Sequence, residues 1–213
     1  MERRIVKNKK LINYLSLSGV ASIVFYLLHD IVGAMNYPEY NWTSQAVSDL
    51  TATDAPSFVV ASGFVAAYKI LGCLCCALLC VLIGGERKRS LRLGVYLFAI
   101  MNFISAIGYA LFPLSSAGYD GSLQSFVHVY ILTALVVLLS IVSLVLIAVG
   151  AFKSRCRLLG VLAIFALALM FVGAVGSGSV PKEVFGIFER FSTYSAVVFT
   201  GVLGVFGFRK KVA

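Results

Sequence analysis

The sequence predicts an all-α, polytopic membrane protein, a six-helix transmembrane bundle with both termini cytoplasmic. Three observations predict it. Six stretches of roughly 20 or more nearly uncharged apolar residues recur along the chain, each able to cross a bilayer core as helix. Of 213 residues, 60% are hydrophobic and 13% charged, and the mean hydropathy is +0.96. That composition leaves too little polar surface to coat a soluble domain. Third, the basic residues fall on alternate sides of successive stretches, as the positive-inside bias requires.

The first span covers about residues 11–35. It is too long for a signal-peptide core and lacks a small-residue cleavage pattern, so it is expected to stay in the protein. The longest polar stretch follows at 36–57. Thr43 or Ser44 is placed to cap a short helix there, with Val47 and Leu50 three apart on its apolar side. Tyr37, Tyr40 and Trp42 suit the headgroup zone, so this segment is expected to lid the bundle and present Ser48 and Asp49. Asp54 and Pro56 read as the cap and first-turn proline of a second span at 58–84. The remaining spans fall at 93–114, 123–152, 158–175 and 185–208, and the chain reads as one domain over 1–213. The fifth carries no side chain suited to chemistry; its Gly173, Gly176 and Gly178 suit close helix packing or a frayed end.

A net charge of +9 invites a nucleic-acid reading, which the distribution argues against. Arg3, Arg4, Lys7, Lys9 and Lys10 precede span one, and Arg87, Lys88, Arg89 and Arg92 follow span two. Lys153, Arg155 and Arg157 follow span four, and Arg209, Lys210 and Lys211 follow span six. That grouping marks topology and contact with anionic lipid at the cytoplasmic face of a cell membrane; no basic stripe alternates with exposed aromatics. Of the five cysteines, Cys73, Cys75, Cys76 and Cys80 lie inside span two and Cys156 in a cytoplasmic loop. None reaches an oxidising side to form a disulfide. Without a histidine or acid at their depth, the span-two thiols read as packing residues rather than metal ligands. No metal and no cofactor is expected; two lone histidines near one side do not make a haem pair.

Ionisable side chains at the centre of a hydrocarbon slab cost at least ~2.5–3.5 kcal/mol each, so each invites a functional reading. They are His29, Asp30, Lys69, His128, Glu189 and Arg190, accompanied by Asn102 and Ser105. His128 lies ~8 Å inside span four, whereas Lys69 and Asn102 lie ~14–18 Å deep at 1.5 Å per residue. All belong to the outer half or the midplane. The expected arrangement is a cavity open to the outside, with Lys69 and Asn102 as its floor.

The run from Thr43 to Ala52 (TSQAVSDLTA), followed by Pro56, resembles the signature loop of a six-span prokaryotic family, domain of unknown function 998. Phe112-Pro113 after span three, His128 opening span four, and Glu189-Arg190 opening span six extend the resemblance over nearly the whole chain. It implies the six-span fold and leaves the function open. Ser48-Asp49 before a proline-led span, with a histidine early in span four, is more faintly similar to the Frag1/DRAM/Sfk1 membrane family; no activity is carried over from it.

Three functions fit these residues. The first is an outward-facing cavity binding a lipid or other amphiphile, with Lys69, Asn102, Ser105, Trp42 and Arg190 as ligand contacts. The second is an intramembrane lipid-modifying hydrolase drawing on His29, Asp30, Ser48, Asp49, His128 and Glu189. The third is a substrate-binding subunit of a transporter. These residues leave open whether a reaction is catalysed.

Overall fold

The computed structural model describes residues 11–210. The basic residues Arg3, Arg4, Lys7, Lys9, Lys10 and Lys211 therefore lie outside the described residues. The chain forms six helices long and apolar enough to cross a membrane: α1 Leu11–Met35, α2 Phe58–Ile83, α3 Arg89–Leu111, α4 Leu123–Lys153, α5 Arg157–Ser179 and α6 Lys182–Arg209. Among the described residues there is no strand.

Helix ends differ from the hydropathy edges for local reasons. Helix α3 begins at Arg89 because Arg and Lys are good helix formers that hydropathy cannot register, and Arg92 donates from Nη1 to the Glu86 carbonyl at 3.1 Å. It stops at Leu111 because Pro113 disfavours helical geometry at Phe112. Asp54 does not cap α2: the helix starts after Ser57, whose hydroxyl donates instead to the Leu50 carbonyl at 2.8 Å. At α4 the cap is Ser122, which accepts the Ser125 amide.

The helices pack in sequence order around a ring closed by α1 against α6, and α2 also touches α6 across the middle. Small residues set the approach. A Cβ on Gly150 of α4 would collide with the Leu91 backbone of α3, and one on Gly94 would lie 2.7 Å from the Ile147 nitrogen. In α5, Gly173 and Gly176 sit against Ser192 and Phe188 of α6, whereas nothing lies within 4 Å of a Cβ on Gly178. Helix packing therefore accounts for the first two glycines and not the third.

One end of the bundle gathers the connections after α2 and α4 and the end of α6, with their basic residues; this is the basic end. There Lys210 pairs with Glu86 at 3.1 Å. The half adjoining it is an apolar core in which the Phe98 and Phe199 rings meet at 5.4 Å amid Leu79, Leu91, Ile147 and Leu203. Val59, Ile70, Leu138, Phe165 and Val175 stand exposed around the circumference, the inside-out pattern of a bundle solvated by lipid. The opposite end, called here the loop end, carries residues 36–57 and the polar side chains.

Candidate functional site

Residues 36–57 contain a single 3-10 turn, Val47–Thr51, in place of the expected short helix. Neither Thr43 nor Ser44 caps it. The Asp49 carboxylate turns back to accept the Ala46 amide at 3.1 Å, and its other oxygen accepts the Gly118 amide at 3.0 Å. Burial raises the Asp49 pKa above the ordinary carboxylate value, against the pull of those two amides. Leu50 is wholly buried beside Gly33 of α1 and Ala61 of α2. Thr53 and Asp54 donate backbone amides to Leu114 and Ser115 of the α3–α4 connection. The segment is thus stitched to three parts of the bundle.

The strongest stitch is Arg190. Its Nη2 and Nε donate to the two oxygens of Asp30 on α1 at 2.7 and 2.9 Å, a bidentate pair. Its Nη1 donates to the carbonyls of Trp42, Gln45 and Gly186, and Nη2 also reaches the Tyr40 hydroxyl. The guanidinium donors are all engaged. Expected as a ligand contact, Arg190 is instead a buried brace joining α1, α6 and the loop, because the carbonyls and carboxylate around it consume its donors. Asp30 is equally committed, accepting in addition the Tyr194 hydroxyl at 2.7 Å. Gly186 sits directly under this crossing, where a Cβ would collide with the Trp42 and Gln45 carbonyls. Trp42 itself is 55% exposed at the rim.

Glu189 faces the next turn of loop, accepting the Val47 amide at 3.3 Å and the Thr193 hydroxyl at 3.0 Å. Below the brace, the Tyr26 ring meets those of Tyr68, Tyr194 and His29 at 4.8, 5.4 and 5.4 Å, all edge-on. The space expected to be hollow is filled at this level by aromatic rings. His29 is 2% exposed, and neither ring nitrogen has a hydrogen-bond partner among the described residues. A buried imidazole left so is an exception that calls for a ligand or water.

Lys69 lies one step along α2 from Tyr68, partly accessible, and it makes no ion pair or hydrogen bond among the described residues. The edge-on rings of Tyr68 and Tyr26 link this turn of α2 to His29 on α1. Asn102 is buried beside Gly72, about one turn further along α2, and donates to the Phe98 carbonyl of its own helix at 3.0 Å. Ser105, a turn along α3, makes no side-chain hydrogen bond among the described residues.

His128 sits in a π-helical turn, Val127–Leu132, of the kind found often at functional positions. Its Nδ1 is 2.6 Å from the Phe112 carbonyl and its ring lies 4.6 Å from that of Tyr109. Of the hydrolase candidates, Asp30 and Asp49 are held in structural bonds. Ser48 is half-buried, and its hydroxyl bonds to neither histidine. Among the described residues, no three of His, Cys, Asp and Glu gather as metal ligands.

Residues 20–206 match the family described as "Protein of unknown function (DUF998)". The chain belongs to this family. No curated protein and no solved structure matches it. The family match takes in every site residue from His29 to Arg190, so the brace, the loop and the Lys69 cluster all lie inside the DUF998 region. Three residues that the structure adds to this region were not singled out by the sequence: Tyr68, Tyr194 and Thr193. Tyr194 stands four residues after Arg190, on the same helix face, and that spacing is a readable signal; Tyr68, adjacent to Lys69, lies on a different face of α2 and has none.

Proposed function

We propose that this membrane protein binds an amphiphile with an anionic head, taken up from the bilayer and held at Lys69 in the half of the bundle nearer the loop end. The observation that carries this is the ammonium of Lys69 at membrane depth, without an ion pair or hydrogen bond among the described residues, in the same half of the bundle as His29, whose ring nitrogens also have no partner there. A charge at membrane depth without a counter-charge is costly unless something else supplies one, and an anionic head would. Asn102 and Ser105 line the continuation of the same region on α3 as neutral contacts.

The loop favours an amphiphile over a water-borne solute. Entry through the loop end would break the Arg190 bonds to the Trp42 and Gln45 carbonyls and the Gly186–Thr43 backbone bond. A ligand already dissolved in the membrane needs none of these broken. The test is thermal unfolding in a neutral detergent with added oleate, lysophosphatidylglycerol or, as a control, lysophosphatidylcholine. Saturation at 100 times Kd stabilises by about 2.7 kcal/mol. Anionic additives should stabilise the wild type and not Lys69→Met, which keeps the stem and removes the charge. Equal stabilisation of both proteins by the anionic additives would refute the proposal.

A further inference from the structure

At the basic end a second feature stands apart from the Lys69 cluster. Helices α1 and α5 flank α6 without packing on each other, and the gap between them is a groove of about 690 Å³. Its walls are apolar, including Val20 and Ile23 of α1, Leu162 of α5 and Val202 of α6. Its mouth is ringed by Arg155, Arg157 and Arg209, and no acidic side chain lines it.

All three arginines are exposed, and none makes a side-chain hydrogen bond or ion pair among the described residues. The acid nearby in space, Glu86, accepts the Ser154 hydroxyl at 3.3 Å and is already paired with Lys210. Two backbone features add to the charge. Helix α5 starts at this mouth with no side-chain cap, so the first-turn amides after Cys156 offer donors to an anion. Arg155 also holds a left-handed backbone, φ 59°, where a helix end ordinarily takes glycine. Its long cationic side chain lines the groove, where glycine would contribute nothing.

We propose that this groove is a binding site for one anionic phospholipid of the leaflet bordering the basic end. The phosphate would sit among Arg155, Arg157, Arg209 and the start of α5, and an acyl chain would lie against Val20, Ile23 and Val202. The elongated apolar walls distinguish a phospholipid from free phosphate, because inorganic phosphate would leave them unfilled. The site is independent of the Lys69 cluster, which lies toward the loop end in a different part of the bundle.

Native mass spectrometry of the full chain, incubated with equal amounts of phosphatidylglycerol and phosphatidylcholine, tests it. The wild type should retain one phosphatidylglycerol in preference to phosphatidylcholine. Each basic residue near a membrane surface adds roughly fivefold, so R155Q/R157Q/R209Q should weaken that retention on the order of a hundredfold. Lys153→Gln, removing an exposed charge on the same connection but outside the groove, should change it little. Val202→Trp keeps the arginines and fills the groove, and should weaken retention as well. Inorganic phosphate at millimolar concentration should not displace the lipid. Equal retention of the two lipids, unchanged retention in the triple variant, or as large a loss in Lys153→Gln would each overturn the proposal. If the triple variant does not fold, Arg157→Gln alone serves, with a several-fold loss expected and no loss contradictory.

Discussion

Replacing Asp30 by alanine should destabilise the protein more than any other single change at the loop end short of losing Arg190 itself. The side chains of Arg190 and Asp30 are only 10% and 12% exposed, and their charged atoms meet at 2.7 Å. Asp30→Ala leaves the guanidinium with Tyr40 and three carbonyls but no counter-charge, and breaking a buried pair from one side costs about 3–5 kcal/mol. The surviving neutral acceptors place the loss near 3 kcal/mol, the low end of that range. Arg190→Met should cost about 5 kcal/mol, because it strands the Asp30 carboxylate and also frees the Trp42 and Gln45 carbonyls. The double variant no longer strands a charge on either side, so its loss should fall short of the summed single losses by about 2–3 kcal/mol. Unfolding in mixed micelles by increasing sodium dodecyl sulfate, followed by Trp42 fluorescence and circular dichroism, measures all four proteins. Additive losses, or single losses under about 1 kcal/mol, would refute the reading of Arg190 as a brace and return it to the pool of ligand contacts.

Gly150→Ala should cost about 1–3 kcal/mol by forcing α4 away from Leu91, whereas Gly178→Ala should be near neutral; the same unfolding assay compares them. Asp49 should make stability depend on pH in the unusual direction for a carboxylate. Burial raises its pKa in the folded state, so the folded chain binds the proton more tightly than the unfolded chain. Its contribution therefore falls as pH rises from the ordinary carboxylate range through the raised value, and Asp49→Asn should remove that slope. A wild-type-minus-variant stability difference that is flat with pH, or that rises, would contradict this. Cysteines introduced singly at Asn41, Gly118 and Ser179 of a cysteine-free variant should react with an impermeant thiol reagent on intact cells, and one at Ser90 should not. The reverse pattern would invert the expected orientation.

The spans were legible because a membrane imposes length and apolarity on a continuous segment, and both are local properties of the chain. Their ends were less so. Arg89 extends α3 into a charged flank that hydropathy reads as loop, and Asp54 looks like a cap although the geometry is decided by Ser57 reaching back to Leu50. His29, Lys69 and His128 stood out in the sequence because an ionisable side chain inside an apolar span is conspicuous wherever it points. Which faces meet is a tertiary property. Asp30 and Arg190 are paired across 160 positions, and no periodicity within either helix announces that Arg190 is fully occupied. The same holds for residues 36–57, whose pattern suggested a helix. Burial of Leu50 and the bonds of Asp49 to Ala46 and Gly118 favour a tighter turn pinned at several points. The π-helical turn at His128 had no sequence signal, since it depends on register rather than composition.

Lys69 is the proposed anchor for an anionic head. The direct measurement is mass spectrometry of amphiphile retained on purification, made in the R155Q/R157Q/R209Q background so that lipid at the basic end does not contribute. With Lys69 intact, one anionic amphiphile should be retained per chain. With Lys69→Met added, that species should be lost while the bundle stays folded. Equal retention with and without the lysine charge would contradict the account.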